Sequence, residues 1–139
     1  MGFSNAADAE TAFYAAFSAG DHTALMAVWA RSPDIVCIHP MGPRLTGLQS
    51  VAQSWALILG NDNAARNFEI ETKSRWTDAA LAVHVVNEVI SVPGSDARYV
   101  PVLATNVYRC IDNHWYMLGH HASVDAQRDF ESPPAQTRH

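Results

Sequence analysis

Residues 115–123 read Trp115-Tyr116-Met117-Leu118-Gly119-His120-His121-Ala122-Ser123, an apolar run that closes on two histidines and a serine. A turn signal, Asp112-Asn113, precedes it and a polar tail follows. Alternation along a strand places Trp115, Met117, His121 and Ser123 on one face and Tyr116, Leu118 and His120 on the other. The first face passes from bulky apolar groups to an imidazole and a hydroxyl, the pattern of a strand that lines a core and then reaches a pocket. His121 is thereby expected inside and His120 at the outer surface. A β-bulge would exchange them, and none is visible in the sequence. The second face is apolar as well and predicts a cover of its own.

Upstream, Asn5 to Ala19 reads as a helix capped by Asn5, with Ala9, Phe13, Ala16 and Phe17 as its apolar stripe and Gly20 as its stop. Asp21 caps a second helix carrying Leu25, Val28 and Trp29, and so tight a junction predicts a helical hairpin. Ile35-Val36-Cys37-Ile38 is a buried strand that delivers His39 into a breaker-rich loop, His39 to Arg44. Thr46-Gly47-Leu48-Gln49 has the form of a capping box and opens a third helix with Leu48, Val51, Trp55 and Leu59 at helical spacing.

Four longer strands follow. Phe68 to Trp76 alternates, with Phe68, Ile70, Thr72, Ser74 and Trp76 opposite Glu69, Glu71, Lys73 and Arg75. Ala80 to Ile90 sets Ala82, His84, Val86, Glu88 and Ile90 against Leu81, Val83, Val85, Asn87 and Val89. A hairpin loop at Ser91–Arg98 leads to Val100–Ile111, with Asn106 and Tyr108 on one side, and the final strand closes the set. Helices first and strands after predict an α+β fold, a curved antiparallel sheet wrapped around three N-terminal helices. The helices cover one sheet face. The other calls for a second copy of the chain, packed sheet to sheet.

The chain has 139 residues, 48% hydrophobic and 17% charged, which fits one globular domain, residues 1–139, with a loose polar tail over 125–139. A net charge of -5 without a Lys/Arg cluster argues against nucleic acid and anionic membranes as partners. No apolar run is long enough to span a bilayer, and Met1-Gly2-Phe3-Ser4-Asn5 has neither the charge nor the apolar core of a secretory signal, so a cytoplasmic location is expected. Cys37 and Cys110, without a CxxC, are expected as free buried thiols.

Taken together, the opening helices with Trp29, the stretch Ile38-His39-Pro40-Met41-Gly42-Pro43, the segment Gly47–Trp55, the run Ala104-Thr105-Asn106-Val107-Tyr108-Arg109 and the ending Trp115–Ser123 resemble the SnoaL-like branch of the nuclear transport factor two-like superfamily, over about Asn5 to Ser123. That superfamily includes ketosteroid-isomerase-like and polyketide-cyclase-like proteins. The resemblance implies a cone-shaped α+β domain with a pocket between sheet and helices, and a homodimer through the outer sheet face. It does not fix an activity.

Within that frame the candidate catalytic residues are His39, His121 and Glu88. Histidine titrates near neutrality, and a carboxyl on an apolar strand face has its pKa raised. The competing reading of each is structural: His39 bonding its own loop, His121 as a satisfied core histidine, Glu88 paired with Arg109. Trp29, Trp55, Asn106, Tyr108 and Ser123 are the candidate ligand-binding residues, with Asn106 or Tyr108 able to steady an oxyanion. His39, His84, Glu88, His120 and His121 lack HxH or HExxH spacing, so no metal is expected. No nucleotide or serine-hydrolase motif occurs, and no cofactor is expected. The expected function is cofactor-independent proton transfer (isomerase, cyclase or dehydratase chemistry) on a carbonyl-containing hydrophobic ligand. The alternative is a non-catalytic dimeric module that binds a ligand or a protein.

Overall fold

Asn5 opens helix α1 (Ala6–Ala19) by accepting a hydrogen bond from the Asp8 N–H at 2.7 Å, which satisfies one of the donors a helix start leaves bare. The computed structural model describes residues 2–60, 67–91 and 101–126. Helix α1 ends at Gly20, whose φ of 70° is the left-handed turn that favours glycine. Asp21 then caps α2 (His22–Val28) through the Ala24 N–H at 3.0 Å, and the two helices fold back on each other as predicted.

Strand β1 (Val36–Ile38) follows, and residues expected as loop form a short strand β2 (Arg44–Thr46) antiparallel to it. The predicted capping box does not form. The ladder holds Thr46 opposite Val36, and the Gly47 N–H bonds to Ile35 O at 3.1 Å. The cap of α3 (Leu48–Leu59) therefore falls on Gly47, at φ 85° and with no side-chain bond. Strands β3 (Asn67–Thr77), β4 (Leu81–Ser91), β5 (Val102–Ile111) and β6 (His114–Val124) complete the fold. Asp112 and Asn113, both at positive φ, make the tight β5–β6 turn.

The sheet order is β2-β1-β6-β5-β4-β3; β1 runs parallel to β6 and every other neighbouring pair is antiparallel. Three helices against one face of a mostly antiparallel sheet make the expected α+β, cone-like fold. The core between them holds Phe13, Leu25, Trp29, Ile35, Val51, Trp55, Leu59 and Met117, all essentially inaccessible. Burying each large apolar side chain contributes about 1.5–3 kcal/mol. Edge-to-face ring pairs add to this: Phe13 with Trp55 at 5.5 Å and Phe17 with Trp55 at 4.9 Å. The predicted hairpin loop falls on residues mostly outside those described, as does the tail beyond Ala126.

Two bulges decide which side chains face the helices. In β3, Thr72 pairs with Val86 but Ser74 pairs with Val85, so Lys73 is the extra residue. Beyond it the alternation reverses: Ser74 and Trp76 turn outward and Arg75 turns in, opposite His84. In β6, Tyr108 pairs with Met117 and Val107 with Gly119, so Leu118 is extra. His120 is consequently buried and His121 and Ser123 are exposed. Both assignments from simple alternation, Arg75 outside and His121 inside, are thus corrected, for the reason that a bulge inserts one unpaired residue and swaps the faces beyond it.

Candidate functional site

Helix α1 carries Glu10, Phe13, Tyr14 and Phe17 at three- and four-residue spacing, one face directed at the sheet. Two of the four are polar, and both are buried. The sheet meets them with polar groups of its own from β4, β5 and β6 at matching register: His84 opposite Asn106 and Asn106 opposite His120.

Glu10 is the hub. Its Oε2 accepts from the Tyr108 hydroxyl at 2.9 Å and from Asn106 Nδ2 at 3.3 Å. His84 Nδ1 lies 3.1 Å from the same oxygen but is not aligned for a hydrogen bond. Among the described residues the other oxygen, Oε1, has only a loose 3.8 Å contact with the Arg75 guanidinium.

Asn106 ties the cluster together. Its Nδ2 also donates to the Tyr14 oxygen at 3.0 Å, which leaves its Oδ1 for His120, whose Nδ1 stands 2.6 Å away. An amide oxygen only accepts, so Nδ1 carries the imidazole proton. Tyr14 in turn donates to Glu88 Oε2 at 2.5 Å. The result is a continuous buried relay from Glu88 through Tyr14 and Asn106 to Glu10 on one branch and His120 on the other.

Burial sets the electrostatics. It pushes the Glu88 carboxyl up to about 7; the Tyr14 hydrogen bond opposes that rise and the Glu10 charge adds to it. Tyr14 and Tyr108 are held well above the ordinary phenol value by burial, and further by the carboxylates Glu88 and Glu10 respectively. His120 is pushed down to about 3, by burial first and then by His39 and His121, so it stands neutral against the rings of Phe13 and Trp55.

The cluster opens to solvent between α1 and β3. A half-open cleft of about 380 Å³ is lined by Glu10, Thr11, Tyr14, Phe68, Ile70, Thr72 and Arg75. A larger depression of about 480 Å³ lies between Arg31–Pro33 and the start of α3. None of its lining residues is a buried titratable group, so the chemistry points to the smaller cleft.

A SnoaL-like domain family model matches residues 7–127. The chain belongs to the SnoaL-like family. Its fold recurs in a candidate calcium/calmodulin-dependent protein kinase type II association domain from Thiobacillus denitrificans, 35% identical, with 89% of this chain and 98% of that one covered and a TM-score of 0.83. A candidate dehydratase of the NTF2-like family from Streptomyces avermitilis is 30% identical, with 85% and 91% covered and a TM-score of 0.74. The Arabidopsis thaliana F-box protein SKIP8 is 30% identical over 101 residues, 73% of this chain; the match spans only 41% of that protein's length.

In this SnoaL-like chain none of the eight residues expected at the site lines the cleft. Glu88, Asn106 and Tyr108 stand one hydrogen bond behind it, on Tyr14 and Glu10. Trp29 and Trp55 are core. His39 ties β1 to α3: Ser54 spends its hydrogen on Val51 O at 2.8 Å, so His39 Nε2, 2.9 Å away, donates to Ser54. The His39 ring also packs on Trp55 at 4.8 Å, and burial lowers its pKa. His121 and Ser123 lie on the exposed outer face, away from Glu10. Cys37 and Cys110 are free, and burial pushes Cys37 to about 12, which makes it inert. Among the described residues no group of three or more His, Cys, Asp or Glu could hold a metal ion, and no helix is long and apolar enough to cross a membrane.

Glu10, Tyr14 and Arg75 were missed from sequence. For the first two a signal existed: Glu10 precedes Phe13 by three residues and Tyr14 by four, so a carboxyl and a phenol share the face that Phe13 directs into the core.

Proposed function

We propose that this SnoaL-like protein binds a small carbonyl-containing molecule in the α1–β3 cleft and moves a proton on it without a cofactor. The observation that carries this reading is the asymmetry of Glu10. One oxygen is fixed by Tyr108 and Asn106, while among the described residues the other has only a 3.8 Å partner, and the residue borders the cleft. A carboxylate so oriented is placed to act as a base.

Glu10 takes a proton from the carbon beside the ligand's carbonyl, and the C–H electron pair moves to form the enolate. Tyr14 is the donor for the enolate oxygen. When Glu88 is protonated its O–H donates to the Tyr14 oxygen, and the Tyr14 hydrogen turns to the ligand. Return of the proton from Glu10 to a different carbon completes an isomerisation; loss of a β-hydroxyl as water completes a dehydration. The SnoaL-like and NTF2-like fold includes isomerase-like and dehydratase-like members, which supports the class and not the substrate. The test is hydrogen–deuterium exchange beside the carbonyl of a ketone panel in D2O. Exchange that Glu10→Gln and Tyr14→Phe abolish supports the reading; exchange indifferent to both refutes it.

A second reading has its own observation. The interior that could have been hollow is packed by Phe13, Phe17, Trp29 and Trp55, which favours a non-catalytic module that binds a ligand or partner. Under it, ligands bind and no exchange occurs. In either case we propose a homodimer through the outer sheet face, where half-buried Val83, Val85 and Val107 adjoin a Trp76 that is 60% exposed. Two free thiols fit a cytoplasmic location.

A further inference from the structure

We propose that Arg75 anchors the carboxylate of the ligand, so that the cleft takes a small oxo or hydroxy acid and not a polycyclic ketone; this rests on the reading above that the α1–β3 cleft is the ligand site. The bulge at Lys73 is what turns Arg75 inward. In a regular strand its guanidinium would lie on the outer face.

Once inside, the guanidinium is under-used. Its one ion contact among the described residues is the 3.8 Å approach to Glu10 Oε1, and its side chain is 48% exposed. A guanidinium has five N–H donors in a planar fork, and the partner that fits the fork is a planar oxoanion. The rest of the lining agrees: Thr11 and Thr72 offer hydroxyls beside it, and Phe68 and Ile70 supply one apolar wall. At about 380 Å³ the cleft lies near the small end of ligand sites.

The neighbouring charges favour a carboxylate over a phosphate. Among the described residues Arg75 is the only Lys or Arg lining the cleft, and the Glu10 carboxylate lines it too. Arg75 and the Glu10 carboxylate already balance each other, so a bound monoanion leaves the cleft one net negative charge and a dianion leaves two, and the monoanion meets the smaller repulsion. Tyr14 and Glu10 line the same cleft as Arg75, so a ligand held there by its carboxylate has its oxo group and the adjacent C–H in the space those two residues border.

The experiment compares 2-oxobutanoate with its neutral match, 2-butanone, by ligand-observed NMR against wild type, Arg75→Gln and Arg75→Lys, while hydrogen–deuterium exchange beside the ketone is followed in the same tubes. The acid is expected to bind wild type at least about tenfold tighter than the ketone, a difference of about 1.4 kcal/mol. Arg75→Gln should erase that preference and Arg75→Lys should keep part of it. Equal affinity for acid and ketone, an acid preference that survives in Arg75→Gln, or no binding of the acid at millimolar concentration overturns the proposal. Arg75-dependent binding without exchange leaves this inference standing and removes the catalytic reading. Exchange on the ketone with no preference for the acid does the reverse.

Discussion

The Tyr14 hydroxyl lies 2.5 Å from Glu88 Oε2, and it joins a helix to a strand across the buried interior. Either group can be the donor, depending on where one proton sits. Glu88 is raised from 4.5 to about 7, so the folded protein holds a proton that the unfolded chain releases earlier. Below about pH 4.5 both states are protonated and the fold bears no penalty. From there to about pH 7 the unfolded state ionises first, and stability falls as pH rises. Glu88→Gln keeps an acceptor for Tyr14 and cannot ionise. Melting curves should show the variant gaining on wild type between pH 4.5 and 7, by on the order of 3 kcal/mol in all, and then running level. A difference that does not change with pH would show that Glu88 is ionised well below neutrality.

His120 has the opposite dependence. Its folded pKa, about 3, lies below the ordinary 6.5. Stability from this group is complete above pH 6.5 and is lost as pH falls, because the unfolded chain takes up a proton that the buried ring refuses. His120→Leu removes that liability but leaves Asn106 Oδ1 without its 2.6 Å partner, at a cost of about 1–3 kcal/mol. The variant should be less stable than wild type at neutral pH, with the gap narrowing towards pH 4. In wild type, the His120 ring resonances should show Nδ1–H and no titration while the fold persists.

Glu10 separates architecture from chemistry. Glu10→Ala strips the acceptor from Tyr108, from Asn106 and from the neighbourhood of His84, all fully or nearly fully buried. Denaturant unfolding should show a loss of about 3–5 kcal/mol. Glu10→Gln retains an oxygen for those donors and should cost about 1 kcal/mol, yet abolish exchange as completely as Glu10→Ala. Equal destabilisation by both would mean that the charge, and not the hydrogen-bond geometry, holds the cluster.

How far the sequence could be read follows from what alternation and spacing encode. Caps at Asn5 and Asp21, the stop at Gly20 and the turn at Asp112-Asn113 act locally, and the chain obeys them. Strand β4 is unbulged by its pairing with β5, so Glu88 and His84 face the helices as alternation requires. The failures lie at Lys73 and Leu118, where one unpaired residue exchanges the faces. Lys73 has no glycine or proline beside it, because a bulge is set by the pairing of two strands and not by one; Leu118 is followed by Gly119, and a glycine inside a strand is the local sign of the second bulge. The same two positions decide that Arg75 and His120, and not His121, point inward. The Thr46 capping box failed for a related reason: a strand partner, Val36, claimed the residue first.

The outer sheet face gives the last test. Val85 is half-buried there, opposite Thr105, which is in turn opposite exposed His121. If a second copy packs on this face, a carboxylate at position 85 would be buried without a counter-charge, a cost of several kcal/mol on association. Val85→Glu should therefore give a monomeric mass by light scattering where wild type gives a dimer, with the far-ultraviolet circular dichroism spectrum unchanged. His121→Ala, on the same face and remote from Glu10, should leave ligand affinity as in wild type. A monomeric wild type would remove the dimer, and a His121→Ala variant that no longer binds ligand would place the site on the wrong side of the sheet.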